Sequence, residues 1–252
     1  MTTRDLLFVA WQDAESRRIV PIGRLLRRDG RYEFAYVNAV SDARALGFEA
    51  LLTYPDLEEV YESRDLPPLF SNRLLPKRRP ELAEYLGELG LSVEQGEPFT
   101  VLSRSGGRRT TDRLEVFAPP EQMNDGNYQG LFLARGVRHV PGSEAALAQL
   151  GAASPLFVMA DVQNSTNSAA LALRDGAQHL LGYVPDYLAN ELVTAGASPA
   201  LLQVTAERIN LPPAPVHHRL LCRFRMPGKV GGTLFRGEGY QPLSPKAAAT
   251  AA

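Results

Sequence analysis

The sequence predicts an α+β protein of two small domains, and three observations predict it. The first 118 residues mix strand and helix patterns. Residues 119–129 then break every apolar period with a cluster of turn formers, and residues 130–227 carry mostly short strands with two brief helices. At 252 residues the chain is long enough to give each domain its own core. Many short strands with few helices lead us to expect a small, partly closed barrel in the second half.

In the first half, "LLFVAWQD" and "IVPIGRLLRRDGRYEFAYVN" read as strands, with Asp29 and Gly30 as a hairpin turn. Alternation places Tyr32, Phe34 and Tyr36 on one strand face. "PELAEYLGELG" reads as a helix with Pro80 in its first turn, an apolar face of Leu82, Tyr85, Leu86 and Leu89, and Gly90 as its stop. "DRLEVFAPP" is a strand ended by prolines. "PPEQMNDGN" then supplies the linker, because prolines, amides and glycine favour turns over periodic structure.

The second half offers strands in "GLFLARGVRHV", "SPLFVMADV", "ALALRDG", "HLLGYVPD", "LLQVTAERI" and "HRLLCRFRM". Ser143 and Asp186 are placed to cap two short helices. Residues 228–252, rich in Gly, Pro, Ala and Ser, read as a flexible tail, though "GGTLFRG" has the pattern of an edge strand.

Composition excludes more than it assigns. The formal net charge is −1, so bulk charge advertises neither nucleic acid nor membrane as a partner. The single cysteine, Cys222, forms no internal disulfide, and four histidines show no zinc-ligand spacing. The N-terminus lacks a secretory signal pattern and no apolar run approaches a membrane span, so a cytoplasmic location is expected. Phosphate-loop, nucleophile-elbow, zinc-helix and dinucleotide motifs are missing from the sequence, so we expect no enzyme and no cofactor. "RSGGRR" at 104–109 reads as a surface turn with solvated arginines, and adjacent His217 and His218 would point to opposite faces of a strand.

Two stretches carry candidate binding chemistry. "DVQNSTNSAALALRDG" sets Gln163 to Ser168, six polar residues, against the mouth of a strand. Asn164, Ser165, Thr166 and Asn167 either line a polar contact or only build a turn, since such side chains readily bond to nearby backbone. In "HHRLLCRFR", a strand would put His217, Arg219, Leu221, Arg223 and Arg225 on one face. Its guanidiniums would track a phosphate backbone, or form an ordinary solvated strand face. Arg73, Lys77, Arg78 and Arg79 form a second cluster, near a run of acids, and read as a solvated or partner-binding face.

"GLFLARGVRHVPG", "LFVMADVQNSTNSAALAL" and "LLGYVPDYLANEL" together resemble the HIRAN domain family over residues 130–226. The resemblance implies a modified OB-like barrel, of a kind associated with DNA-repair and remodelling enzymes, in which some members bind the 3′ end of single-stranded DNA. Matching positions are Arg138 and His139 at a strand end, Asn164 to Asn167 in the loop, and Gly182, Tyr183 and Pro185 at the final turn. His139 replaces an aromatic, Thr166 a stacking tyrosine, and Asn167 an aspartate, whose carboxylate accepts hydrogen bonds more strongly than an amide does. Residues 5–117 more faintly resemble the N-terminal subdomain of HipA-type toxin kinases, in "GRLLRRDGRYEFAYV", "LFSNRLLP" and "PFTVLSRSGGRRTTDRLEVF"; Arg73 interrupts the second string and no kinase body follows. That resemblance implies a non-catalytic bacterial module for protein contact.

The expectation is therefore a non-catalytic nucleic-acid-binding accessory protein of repair or defence. Single-stranded DNA would meet Arg138, His139, Asn164, Thr166, Asn167, Tyr183, Arg219, Arg223 and Arg225. The alternative is an antitoxin-like module that holds a HipA-type kinase or other effector through residues 5–117.

Overall fold

A computed structural model describes residues 5–109 and 111–249, which form two compact units. One is drawn from segments 1–76, 97–119 and 235–252, the other from 77–96 and 120–234. The units are thus interleaved along the chain, whereas the sequence suggested modules at 1–118 and 130–227 in simple succession. Residues 1–4, 110 and 250–252, which fall in the expected first module and tail, lie outside the described residues.

The first unit is built on an antiparallel sheet in the order β4-β3-β2-β1-β5: β1 (Leu6–Gln12), β2 (Ile19–Arg28), β3 (Arg31–Tyr36), β4 (Tyr61–Ser63) and β5 (Leu114–Phe117). Asp29 and Gly30 turn β2 into β3 with φ of 50° and 72°, the left-handed pair that matches strand twist. Tyr32, Phe34 and Tyr36 do share a face. Phe34 stacks on Tyr54 at 4.3 Å and meets Tyr36 edge-on at 5.2 Å, with Phe70 at 6.1 Å. The helix Pro98–Ser105 buries Phe99 and Leu102 in the same core; the Glu97 carboxylate accepts from Phe99 N and Thr100 N, and Gly106 ends it in the left-handed region.

The opposite face of this sheet is apolar too, and that overturns the expected flexible tail. Phe8 lies 5.6 Å from Phe117, and Phe235 and Tyr240 cover it at 6.2 and 5.0 Å. Leu243 N donates to Tyr36 O, and Arg24 donates to Ala247 O from within the unit. "GGTLFRG" forms no strand; the helix Gly228–Gly231 begins this region. Arg73 also departs from the expected solvated cluster: it is buried and chelates Asp112 at 2.6 and 3.2 Å.

The second unit holds seven antiparallel strands in the order β10-β9-β8-β11-β12-β7-β6. These are β6 (Glu121–Gln122), β7 (Tyr128–Leu133), β8 (Pro155–Ala160), β9 (Leu171–Arg174), β10 (Leu180–Tyr183), β11 (Gln203–Ile209) and β12 (Leu220–Met226). The expected linker is part of it, since β6 pairs with β7 and Met123 N donates to Asn127 O across the turn. The sheet does not close into a barrel. β6 has only two residues, and β7 stops at Leu133, beyond which a single bridge between Arg135 and Tyr183 reaches β10. The helix Leu82–Glu88 belongs to this unit. Neither expected cap is one: Gly142 and Pro185 hold the cap positions, while Ser143 and Asp186 are first helical residues. Among the described residues no helix is long and apolar enough to cross a membrane.

Candidate nucleic-acid interface

The polar loop begins where β8 runs out. Asp161 N donates to Ala170 O, extending the β8–β9 ladder by one residue. Asn164 then organises the turn: its Oδ1 accepts from Thr166 N and Asn167 N, both at 3.0 Å, and its Nδ2 donates to Asp161 Oδ2 at 3.1 Å. Asn167 Oδ1 accepts from Ala169 N at 2.9 Å, and its Nδ2 donates to Asp186 Oδ1 at 2.9 Å. Both amides are engaged within the loop and with the helix Asp186–Thr194, whereas Ser165 and Thr166 are exposed.

Tyr183 closes this network. Its hydroxyl donates to Asp161 Oδ2 at 3.1 Å; burial first, then the neighbouring carboxylate, raise its pKa above the ordinary tyrosine value. Its backbone exchanges two 2.8 Å bonds with Arg135. Two glycines permit this approach. A Cβ on Gly182 (φ 155°) would sit 2.7 Å from Arg135 O, and one on Gly136 (φ 69°) would sit 3.1 Å from the Tyr183 ring. Gly136 turns the chain into the single turn Val137–His139, where Arg138 and His139 are exposed and Arg138 Nε donates to His139 Nε2 at 2.8 Å.

The expected basic face is not a single face. His217 and Arg219 are not on β12 at all: a 3-10 turn spans Val216–His218, and Arg219 caps it. The two imidazoles, expected on opposite sides, lie 4.3 Å apart because this segment is a turn. Arg219 is buried and donates to Asn210 O and Glu144, both at 3.3 Å. Arg223 and Arg225 do share a side, but Arg223 forms a two-pronged pair with Glu207 at 2.8 and 2.6 Å, and Arg225 pairs with Asp125. Glu207 is the extra residue of a bulge in β11, which is why the strand's alternation conceals it.

A different surface emerges from strand register. Phe157 lies opposite Arg174 and Arg174 opposite Leu180; Met159 lies opposite Ala172 and Ala172 opposite Tyr183. Directly paired residues project to the same side, so Phe157, Met159, Arg174 and Tyr183 share one side of β8–β9–β10. Phe157 is 52% exposed and Met159 39%, and Val162 beside them is 79% exposed. Arg174 donates to Gln178 at 3.3 Å, and among the described residues neither it nor Arg138 has a carboxylate partner. Phe157 and Met159 escaped the sequence reading because "PLFVMA" is apolar on both faces, so alternation cannot say which face is bare. Among the described residues no group of three or more His, Cys, Asp or Glu is placed to hold a metal.

No family model and no curated protein matches the chain. Among solved structures it is similar to a Lactobacillus plantarum protein from a structural genomics consortium, with 16% identity and a TM-score of 0.31 over 40% of this chain and 96% of that one. It is also similar to the HIRAN domain of human HLTF, with 13% identity and a TM-score of 0.30 over 46% of this chain and 92% of that one. The HipA-type resemblance of residues 5–117 gains no support from these similarities, and at such scores neither neighbour assigns this chain its fold.

Proposed function

We propose that the β6–β12 unit is a non-catalytic module that binds single-stranded nucleic acid on the outer side of β8–β9–β10. The observation that carries the reading is Phe157: a half-exposed aromatic ring on a strand, directly opposite an arginine without a carboxylate partner among the described residues, on the same side as Tyr183. Exposed rings on a sheet stack bases whatever their identity, and a neighbouring guanidinium meets the phosphates between them. Arg138, a short turn beyond the Arg135 backbone that bonds Tyr183, extends the cationic edge. Because Asn164 and Asn167 are engaged within their loop and with Asp186, this reading has the strand bound along its length rather than captured by its 3′ end.

Fluorescence anisotropy with a labelled oligothymidylate tests the proposal. The intact protein should bind at low salt, and Phe157→Ala should weaken binding by about 1–3 kcal/mol, the worth of one stacked base. Equal affinity for strands ending in a 3′-hydroxyl and a 3′-phosphate is expected. Absence of binding at low salt would overturn the proposal and leave the Phe157 side as an apolar surface for a protein.

A further inference from the structure

A cleft of about 170 Å³ opens in the other unit, against the end of β1 and the start of β5. Three arginines, Arg17, Arg108 and Arg113, line it together with Gln12, Asp112 and Glu115. We propose that this cleft binds a terminal phosphate group, carried by a small molecule such as a nucleoside monophosphate.

Its charge is not balanced from within. The Asp112 carboxylate is held by Arg73 at 2.6 and 3.2 Å, and one of its oxygens also accepts from Leu114 N, so it is neutralised from behind the cleft. Glu115 is 5% exposed, and both it and Arg108 are already engaged, which leaves Arg17 and Arg113. Among the described residues neither Arg17 nor Arg113 has a carboxylate partner. The cleft is therefore cationic, and guanidinium forks match the oxygens of phosphate.

The backbone is also arranged to present Arg17. It adopts φ 61°, a conformation that side-chain-bearing residues avoid, in the turn between β1 and β2. Gln12 Nε2 donates to Arg17 O at 3.0 Å, while Asp13 Oδ2 accepts from Ser16 N and Oγ at 2.7 and 2.6 Å. The turn is thus fastened on both sides of a residue that glycine would suit better, which fixes the backbone from which the Arg17 side chain starts. The volume suits a compact group carrying two negative charges more than an extended chain of singly charged diesters. The cleft also lies in a different unit from Phe157, so its occupancy is read independently of strand binding.

The test is an NMR titration of the full-length protein with inorganic phosphate, pyrophosphate and adenosine 5′-monophosphate, with sodium chloride at matched ionic strength and adenosine as controls. Phosphate-bearing probes should shift the Gln12 side-chain amide and the Ile19 and Leu114 resonances, and the controls should not. Arg17→Gly, which suits the backbone, and Arg113→Gln should each weaken binding at least about tenfold, the scale of one charge-assisted hydrogen bond, with an unchanged melting temperature. No shift at about 10 mM probe, where even a weak site fills, would overturn the proposal. Equal binding by both variants would overturn it as well. So would stronger competition from an oligonucleotide lacking terminal phosphates than from adenosine 5′-monophosphate.

Discussion

Glu88 Oε2 lies 2.6 Å from His218 Nδ1, so the end of the helix Leu82–Glu88 is tied to the approach to β12 from 130 residues away in sequence. Asn210 reinforces the tie, donating to both the Glu88 and His218 carbonyls at 2.8 and 2.7 Å. The pair is largely buried, with His218 4% exposed. Glu88→Ala leaves the imidazole without its acceptor and should destabilise the protein by about 3 kcal/mol, measured by urea unfolding. A fragment of residues 130–227 lacks the helix altogether and should be markedly less stable than one joining 77–96 to 120–234. Equal stability of the two fragments would show that the helix is only an ornament on the sheet.

The segment from Phe235 onward should behave as part of the β1–β5 unit. Phe235 is 4% exposed and packs 5.3 Å from Phe117 and 5.4 Å from Tyr240. Phe235→Ala removes a buried ring and leaves a void beside Phe8, at a cost of about 3–5 kcal/mol. Truncation after residue 234 should expose that whole face and bring aggregation, seen by light scattering. A soluble truncated protein with an unchanged melting temperature would contradict this.

Local features were legible in the sequence and long-range ones were not. Asp29-Gly30 could be read because a type I′ turn needs two left-handed residues in succession. Tyr32, Phe34 and Tyr36 could be read because period-two alternation of large rings fits a strand face. The tail could not, since whether Phe235 is a loose or a core residue depends on Phe8, more than two hundred positions away. At the candidate site, the polar loop and Tyr183 could be named as candidates because residue type is local information. The charges of Arg223 and Arg225 were misjudged because their partners, Glu207 and Asp125, are set by register and a bulge. Phe157 went unseen because a strand apolar on both faces gives no sign of which face the rest of the fold covers.

Asp175 makes the β9–β10 turn sensitive to acid. Burial alone would raise its pKa, but the His179 ring and backbone N–H, each at 2.8 Å, hold it below the usual value. A carboxylate whose folded pKa is depressed stabilises the protein above its unfolded pKa and loses that contribution as pH falls through the folded one. Asp175→Asn should therefore be less stable than the parent at neutral pH, and the difference should fade below about pH 4, where the unfolded carboxylate protonates. A difference independent of pH would assign the effect to shape rather than charge.

Cys222 should be inert in the folded protein. Its side chain is fully buried on β12, and burial pushes the thiol pKa up, away from the reactive thiolate. Labelling by a disulfide reagent at neutral pH should proceed only at the rate of unfolding, and become fast in denaturant. Rapid stoichiometric labelling under native conditions would show that the strand opens locally.

The arginines of the β6–β12 unit separate two accounts of strand binding. If Arg223 and Arg225 faced phosphates, replacing both should flatten the salt dependence of binding by about two units in the logarithmic slope, one per lost contact. The structure gives each a carboxylate instead, so a phosphate would have to displace Glu207 or Asp125 first. Arg174 and Arg138 have no such competitor among the described residues. Arg174→Ala and Arg138→Ala should each lower affinity for all sequences alike and reduce the slope by about one, while Arg223→Ala should leave the slope nearly unchanged and lower stability slightly. Anisotropy titrations at several salt concentrations decide between them. A slope that responds to Arg223 and not to Arg174 would move the strand from the outer side of β8–β9–β10 to that of β11–β12, and the stacking role of Phe157 would fall with it.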